Sequence, residues 1–301
     1  MIRRFGVAAL ATLAVLVGLL ACGPGGRPVA DLTSDRSQID LAYPETVDFE
    51  LTLTPRAARP TAGNLLLFVH LLDEPGSVVR TFDLPLDRPW SAGEAQRLRV
   101  RLHQSALAEP LPPGDYLLTA GLYAPGADTT GERFTLNAGH EVARQEYRLA
   151  TVRVPAPSAE LPRFRFSDRW LPAEPGTDRQ VLARRWLAGG GAPGELEIGP
   201  LAGPGALWIR LEIPAAAGGD RLEVETAGEP PRVALTADCG GYESVAAGSG
   251  PHDFELAIPA GEPTSCRVAI DPNFRFLRAA GGGPVSVALE ILAWGRRGEA
   301  P

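Results

Sequence analysis

Lysine is absent: all 29 basic residues of the 301-residue chain are arginine. Schiff-base catalysis and the Walker-type phosphate loop both need a lysine amine, so both are excluded. Genomic base composition is the ordinary cause of such a bias, and the exclusion holds whatever the cause. Histidine is scarce, and His70, His103, His140 and His252 are too scattered to show a local metal-ligand spacing. No Gly-x-Ser-x-Gly elbow occurs, and Ser249 sits in the Gly-rich turn Gly248-Ser249-Gly250. Helical periodicity is missing beyond the N-terminal segment. The formal charge of −7 makes no electrostatic claim on nucleic acid.

What is present begins at the N-terminus. Met1-Ile2-Arg3-Arg4 is a short basic head, and the 17 residues from Phe5 to Ala21 carry no charge. That run ends in Leu19-Leu20-Ala21-Cys22-Gly23. A basic head, an apolar run and a small residue before a cleavage point make up a secretory signal. The alternative is an uncleaved membrane helix, but about 20 apolar residues are needed to cross ~30 Å of hydrocarbon. The Leu-Leu-Ala-Cys ending resembles the lipobox of bacterial lipoproteins. This resemblance implies cleavage before Cys22, acylation of its sulfur and new amino terminus, and a mature chain held to a membrane by lipid. Each buried acyl methylene is worth ~0.8 kcal/mol, so two or three chains anchor permanently. Gly23 in place of aspartate implies, by the sorting rule of enteric bacteria, the outer membrane if the organism is diderm. The expected location is the cell envelope, facing periplasm or cell surface.

Loss of residues 1–21 takes Arg3 and Arg4 with it and makes the formal charge of −7 two units more negative. Residues 22–29 read as a Gly/Pro tether. Of the three cysteines, Cys22 is assigned to lipid, which leaves Cys239 and Cys266 as an even pair in an oxidising setting. A disulfide between them closes a loop worth ~3–4 kcal/mol. The other use, metal ligation, lacks any CxxC or nearby histidine pair.

From residue 30 to 154 the grammar is period two. Val47, Phe49, Leu51 and Leu53 face one way while Asp48, Glu50 and Thr52 face the other. Asn64 to Leu72 is apolar on both phases, as in a central strand. Tyr116, Leu118, Ala120 and Leu122 form a further inward row, and turn clusters such as Pro112-Pro113-Gly114 separate the segments. The stretch Leu111-Pro112-Pro113-Gly114-Asp115-Tyr116 resembles the entry to a late strand of immunoglobulin-like domains. There a tyrosine hydroxyl often bonds back to nearby backbone. Residues 155–162 read as a Pro-rich linker. Alternation then resumes over 163–301, with rows such as Leu207, Ile209, Leu211, Ile213 and Val285, Val287, Leu289, Ile291. That spacing resembles the jelly-roll modules attached to carbohydrate-active enzymes. The fold class expected is all-β: two β-sandwich domains, immunoglobulin-like then jelly-roll-like, after a cleaved signal helix.

Candidate binding residues follow from the phase. Trp208 falls on the polar phase beside Arg210 and Glu212, and Trp294 falls opposite Val285, Val287, Leu289 and Ile291. Two outward indoles flanked by charged groups would form a sugar-stacking platform; the competing expectation is that another layer covers them. Arg97, Arg99 and Arg101 put three guanidinium groups on one strand face, ~7 Å apart. They either grip an anionic polymer or pair across the sheet with Asp48 and Glu50, the commoner arrangement. His70, inside an apolar strand, reads as a satisfied core histidine. Asp168, Glu174, Asp238, Glu243 and Asp271 fall in or near loops, where two carboxylates ~5–9 Å apart would make a glycosidase. Asp271-Pro272-Asn273 reads as an Asx-type turn, with calcium ligation the rarer use.

The reading that results is a lipid-anchored envelope protein, non-catalytic and without a cofactor or metal. It acts as a binding or scaffolding module, with carbohydrate as the best-supported ligand class. Its partners are the membrane, through Cys22, and an envelope glycan or envelope protein. The alternatives are a structural subunit of an envelope assembly and a glycan hydrolase.

Overall fold

The computed structural model describes residues 27–61, 63–126, 131–158, 161–176, 178–201, 204–258 and 265–296. The signal segment and Cys22 lie outside them. Every regular element among the described residues is a strand.

The first twelve are β1 (Ala30–Ser34), β2 (Gln38–Asp40), β3 (Thr46–Pro55), β4 (Leu66–Leu72), β5 (Val78–Thr81) and β6 (Leu84–Pro85). After these come β7 (Gln96–His103), β8 (Gly114–Ala124), β9 (Glu132–Phe134), β10 (Leu136–Asn137), β11 (Glu141–Ala143) and β12 (Glu146–Val154). One sheet runs β10-β1-β3-β7; the other runs β11-β12-β8-β4-β5, with β2, β6 and β9 added at its sides. The chain starts in one sheet, with β1 antiparallel to β3, and crosses to the other, where β2 lies parallel to β12. This is the immunoglobulin-like arrangement.

The alternating rows close the core between the two sheets. Phe49, Leu51 and Leu53 of β3 meet Leu67, Val69 and Leu71 of β4 and Leu118, Ala120 and Leu122 of β8 in one cluster. Each such leucine or phenylalanine contributes roughly 1.5–3 kcal/mol when buried. The other face of β4 is covered as well: Phe68 lies over Gly121, its cross-strand partner, where any Cβ would strike the ring. The Tyr116 hydroxyl donates to the Pro112 carbonyl at 2.8 Å, the tyrosine corner that the Pro-Pro-Gly-Asp-Tyr stretch leads one to expect.

The second half contains β13 (Arg163–Phe166), β14 (Glu174–Pro175), β15 (Ala183–Ala188), β16 (Gly194–Gly199), β17 (Gly205–Ile213) and β18 (Arg221–Val224). It finishes with β19 (Arg232–Ala237), β20 (Tyr242–Ala247), β21 (Gly250–Ile258), β22 (Cys266–Pro272), β23 (Phe274–Leu277) and β24 (Val285–Arg296). A five-stranded sheet, β13-β16-β22-β19-β20, faces one ordered β14-β15-β24-β17-β21, to which β23 brings β18. Cys239 and Cys266 form a disulfide with their Cα atoms 5.2 Å apart, joining the end of β19 to the start of β22 inside the core.

The last strand departs from simple alternation. Arg210 is opposite Ile291 and Leu211 is opposite Leu289, so Glu290 is an extra residue, a β-bulge. Beyond the bulge the phase inverts. Leu292 and Trp294 therefore point into the core, as Leu289 does before the bulge, while Ile291 and Ala293 turn to the outer face. The expectation of an outward Trp294 is thus corrected: its indole is 4% exposed and lies over Gly205, where no Cβ would fit.

The two sandwiches are tied by backbone as well as side chains. Trp294 N–H donates to the Pro44 carbonyl at 2.8 Å and Ala106 N–H to the Leu292 carbonyl at 2.7 Å. Leu107, just past β7, packs into the core of the second sandwich. The buried Gln104 side chain braces this segment, donating to the Leu41 carbonyl and accepting from Leu111 N–H.

Candidate functional site

Side chains with unusual surroundings gather where β7 of the first sandwich meets the outer face of β17 and β21. Trp208 lies at the centre. It sits on the polar phase of β17, as its spacing predicts, but it is 5% exposed. The first sandwich covers it, so the outward platform of Trp208 and Trp294 does not exist, and the covered alternative holds. Ile291 and Ala293 pack behind the indole. The guanidinium carbons of Arg101 and Arg210 stand 5.1 and 5.4 Å from its ring centroid. Trp208 Nε1 donates to Asp253 Oδ1 at 3.0 Å, and the edge of His103 meets it at 5.1 Å between centroids.

The charges around the indole are paired. Arg210 grips Asp253 with two bonds of 2.8 and 2.9 Å, from residues directly opposite each other on β17 and β21. Arg101 donates to both oxygens of Asp48 and, across the junction, to Glu255 at 2.8 Å. Arg99 also bonds Asp48, and Arg97 stands 3.6 Å from Glu50. The arginine row therefore pairs across the sheet with Asp48 and Glu50, with Arg101 reaching further into the second sandwich. Burial disfavours the charged form of Arg101, but the bonds from Asp48 and Glu255 outweigh it and raise its pKa. Burial likewise pushes Asp48 and Asp253 up, and their arginine partners reverse this, leaving both below the usual carboxylate range.

Three titratable groups here behave otherwise. His103 is buried with both ring nitrogens lacking a hydrogen-bond partner, and burial together with Arg210 and Arg80 lowers its pKa to about 3. Its imidazole is neutral. Glu290, the bulge residue, is pushed up to about 7, first by burial and then by the neighbouring Glu212. Glu212 itself is half-buried and raised by burial.

Two openings border this cluster. A groove of 570 Å³ runs under the interdomain segment Pro155–Ser158, with Arg36, Asp40, Asp48 and Glu255 among its polar groups. Val47, Leu161 and Trp208 contribute apolar wall. Most of the charge is committed within the protein, but Arg36 and Asp40 have no side-chain bond among the described residues. On the other side of Arg101 and Trp208 is a smaller cavity of 300 Å³ that reaches His103, Arg210 and Asp253.

The remaining sequence candidates are dispersed. His70 Nδ1 lies 3.1 Å from Glu146 Oε1, which also accepts from Thr119, as a satisfied core histidine should. His252 bonds the Gly248 carbonyl, and His140 is exposed. Asn273 accepts from Arg232 N–H and donates to the Pro230 carbonyl, which spends its amide on the turn rather than on a cation. Glu174 is bound by Arg184 and Trp186, and Asp238 caps Arg267 N–H. Asp168, Glu243 and Asp271 line neither of these two openings. Among the described residues one group of three potential metal ligands lies close together, Asp238, Cys239 and Cys266, and both sulfurs are in the disulfide.

Sequence reasoning does not single out Asp253, Glu255 or Glu290, which no motif marks, and it finds His103 only as one of four scattered histidines, because alternation holds no signal for what covers a face.

No family model and no curated protein matches the chain. Among solved structures, it is similar to the N-terminal CBM22-1–CBM22-2 tandem domain of Xyn10C from Paenibacillus barcinonensis. That likeness has 10% identity and a TM-score of 0.27, over 84% of this chain and 79% of that one. It is also similar to CBD12 from CALX1.2, at 13% identity and a TM-score of 0.21, over 80% of each chain. Neither likeness carries an argument about what this chain binds.

Proposed function

We propose that this is a lipid-anchored envelope protein, held by Cys22, whose two sandwiches form one non-catalytic binding module. The ligand class that suits it best is carbohydrate, taken in the groove between the sandwiches. The observation that supports this is the lining of the 570 Å³ groove, which combines charged groups with the apolar Val47, Leu161 and Trp208, while Arg36 and Asp40 make no side-chain bond among the described residues. Carboxylate and guanidinium groups bond sugar hydroxyls, while apolar side chains cover the C–H faces of the ring.

A glycan hydrolase would need a carboxyl of raised pKa beside a second carboxylate, in a cleft. Glu290 and Glu212 supply the pair, but neither lines the groove or the smaller cavity beside it. That reading therefore gains nothing from them.

The test is a pull-down of the full chain on a panel of bacterial envelope glycans, beside Arg36→Ala and Asp40→Ala. Binding that either substitution abolishes, with the circular dichroism spectrum intact, is expected. Binding to no glycan moves the function to protein scaffolding. Cys22→Ser tests the anchor independently: it should release the protein from membranes, and continued lipid labelling of the variant would refute the assignment.

A further inference from the structure

Arg80 is partly buried and, like Arg169 and Arg185, has no carboxylate partner among the described residues. Arg101, Arg184 and Arg210 each hold a carboxylate. Among the described residues Arg80, on β5, makes one side-chain bond, from Nη1 to the carbonyl of its own neighbour Val79 at 2.9 Å. A guanidinium carries five N–H donors. Burial lowers its pKa without displacing the charge, the Tyr116 phenol opposes that shift, and the His103 imidazole also feels the charge. A half-buried cation with N–H donors to spare can take an incoming anion.

Arg80 lines a cavity of 530 Å³ between the sandwiches. Its volume is within the range of small-molecule sites, roughly 300–1,000 Å³, although it is a shallow depression open to solvent. Leu107, Pro110 and Pro112 wall it from the first sandwich; Pro175, Leu182 and Ala183 wall it from the second. The first wall is fixed at both ends, by Gln104 holding Leu111 N–H and by the Tyr116 hydroxyl holding the Pro112 carbonyl. Glu174 also borders the cavity, but Arg184 and Trp186 occupy its carboxylate. Glu109 borders it from an exposed position.

We propose that this cavity binds the carboxylate of a small organic acid with an apolar body, and that Arg80 receives the carboxylate through its paired N–H groups. The fork of a guanidinium matches a planar carboxylate. Glu109 and Glu174 disfavour a dianion, so a monocarboxylate is accepted and inorganic phosphate is not. The Leu and Pro walls take the apolar remainder. This site is separate from the groove and does not rest on the groove's assignment.

The experiment is titration calorimetry on the full chain with benzoate, benzyl alcohol and inorganic phosphate as probes, repeated on Arg80→Gln and Arg80→Met. Saturable benzoate binding is expected, at least tenfold weaker for benzyl alcohol and phosphate and at least tenfold weaker in both variants. Arg80→Met should unfold at the same or a higher temperature than the native chain without ligand, because it removes an uncompensated charge. Equal affinity for benzoate and benzyl alcohol, or benzoate affinity unchanged in a folded variant, overturns the proposal. A lowered unfolding temperature for Arg80→Met also overturns it, since Arg80 would then be a structural group.

Discussion

Trp208→Ala distinguishes a buried keystone from a surface platform. The indole is 5% exposed, has two guanidinium groups 5.1 and 5.4 Å from its ring centroid, and packs on Ile291 and Ala293. Truncating a buried tryptophan to alanine typically costs ~3–5 kcal/mol, part from lost transfer energy and part from the cavity left behind. In a chain of this size 1 kcal/mol lowers the unfolding midpoint by ~2–4 °C, so the variant should melt roughly 10 °C below the native protein. Trp208→Phe keeps an aromatic plate beside the guanidinium groups and loses the bond to Asp253. That carboxylate is half exposed and water replaces the indole, so the loss should be about 1 kcal/mol. Differential scanning calorimetry on both variants reads the order native, Phe, Ala. A shift below ~2 °C for Trp208→Ala would refute the reasoning, because an indole on open surface costs little stability when truncated.

Stability against pH carries two opposed contributions from the same junction. Glu290, raised to about 7 in the folded chain, binds a proton that the unfolded chain releases near pH 4.5, so stability falls as pH rises between those values. His103, lowered to about 3 from 6.5, gives stability that is whole above pH 6.5 and is lost as pH falls towards 3. Glu290→Gln should therefore gain stability over the native chain at pH 8 and show no gain at pH 4, read from urea midpoints; a pH-independent difference would contradict the assignment. Reduction of the Cys239–Cys266 bridge should cost ~3–4 kcal/mol, and neither sulfur should react with a thiol reagent in the folded, unreduced protein.

Much of the fold is legible because a strand with one buried face must alternate, as Phe49, Leu51 and Leu53 do. The tyrosine corner is legible because Tyr116 and Pro112 are four residues apart, a local relation. The disulfide follows from counting. Trp294 was not legible: one bulge residue, Glu290, inverts the phase of all that follows, and no periodicity marks where an extra residue sits. Trp208 shows a different limit. Its phase was right, but phase says which face of a sheet a side chain takes and nothing of what lies over that face. The pairings that shape the junction, Arg210 with Asp253 and Arg101 with Glu255, depend on register and on the docking of two sandwiches. The unpaired state of Arg80 is likewise a property of the packed chain.

The groove is the central functional claim, and hydrogen–deuterium exchange with and without a glycan captured by the full chain tests it most directly. The account predicts slowed exchange at Gln38–Asp40 and across Ala156–Ser158, which border the groove, and no change along β20 on the far sheet. Protection confined to β20 or its neighbours, with the groove segments unaltered, would contradict it.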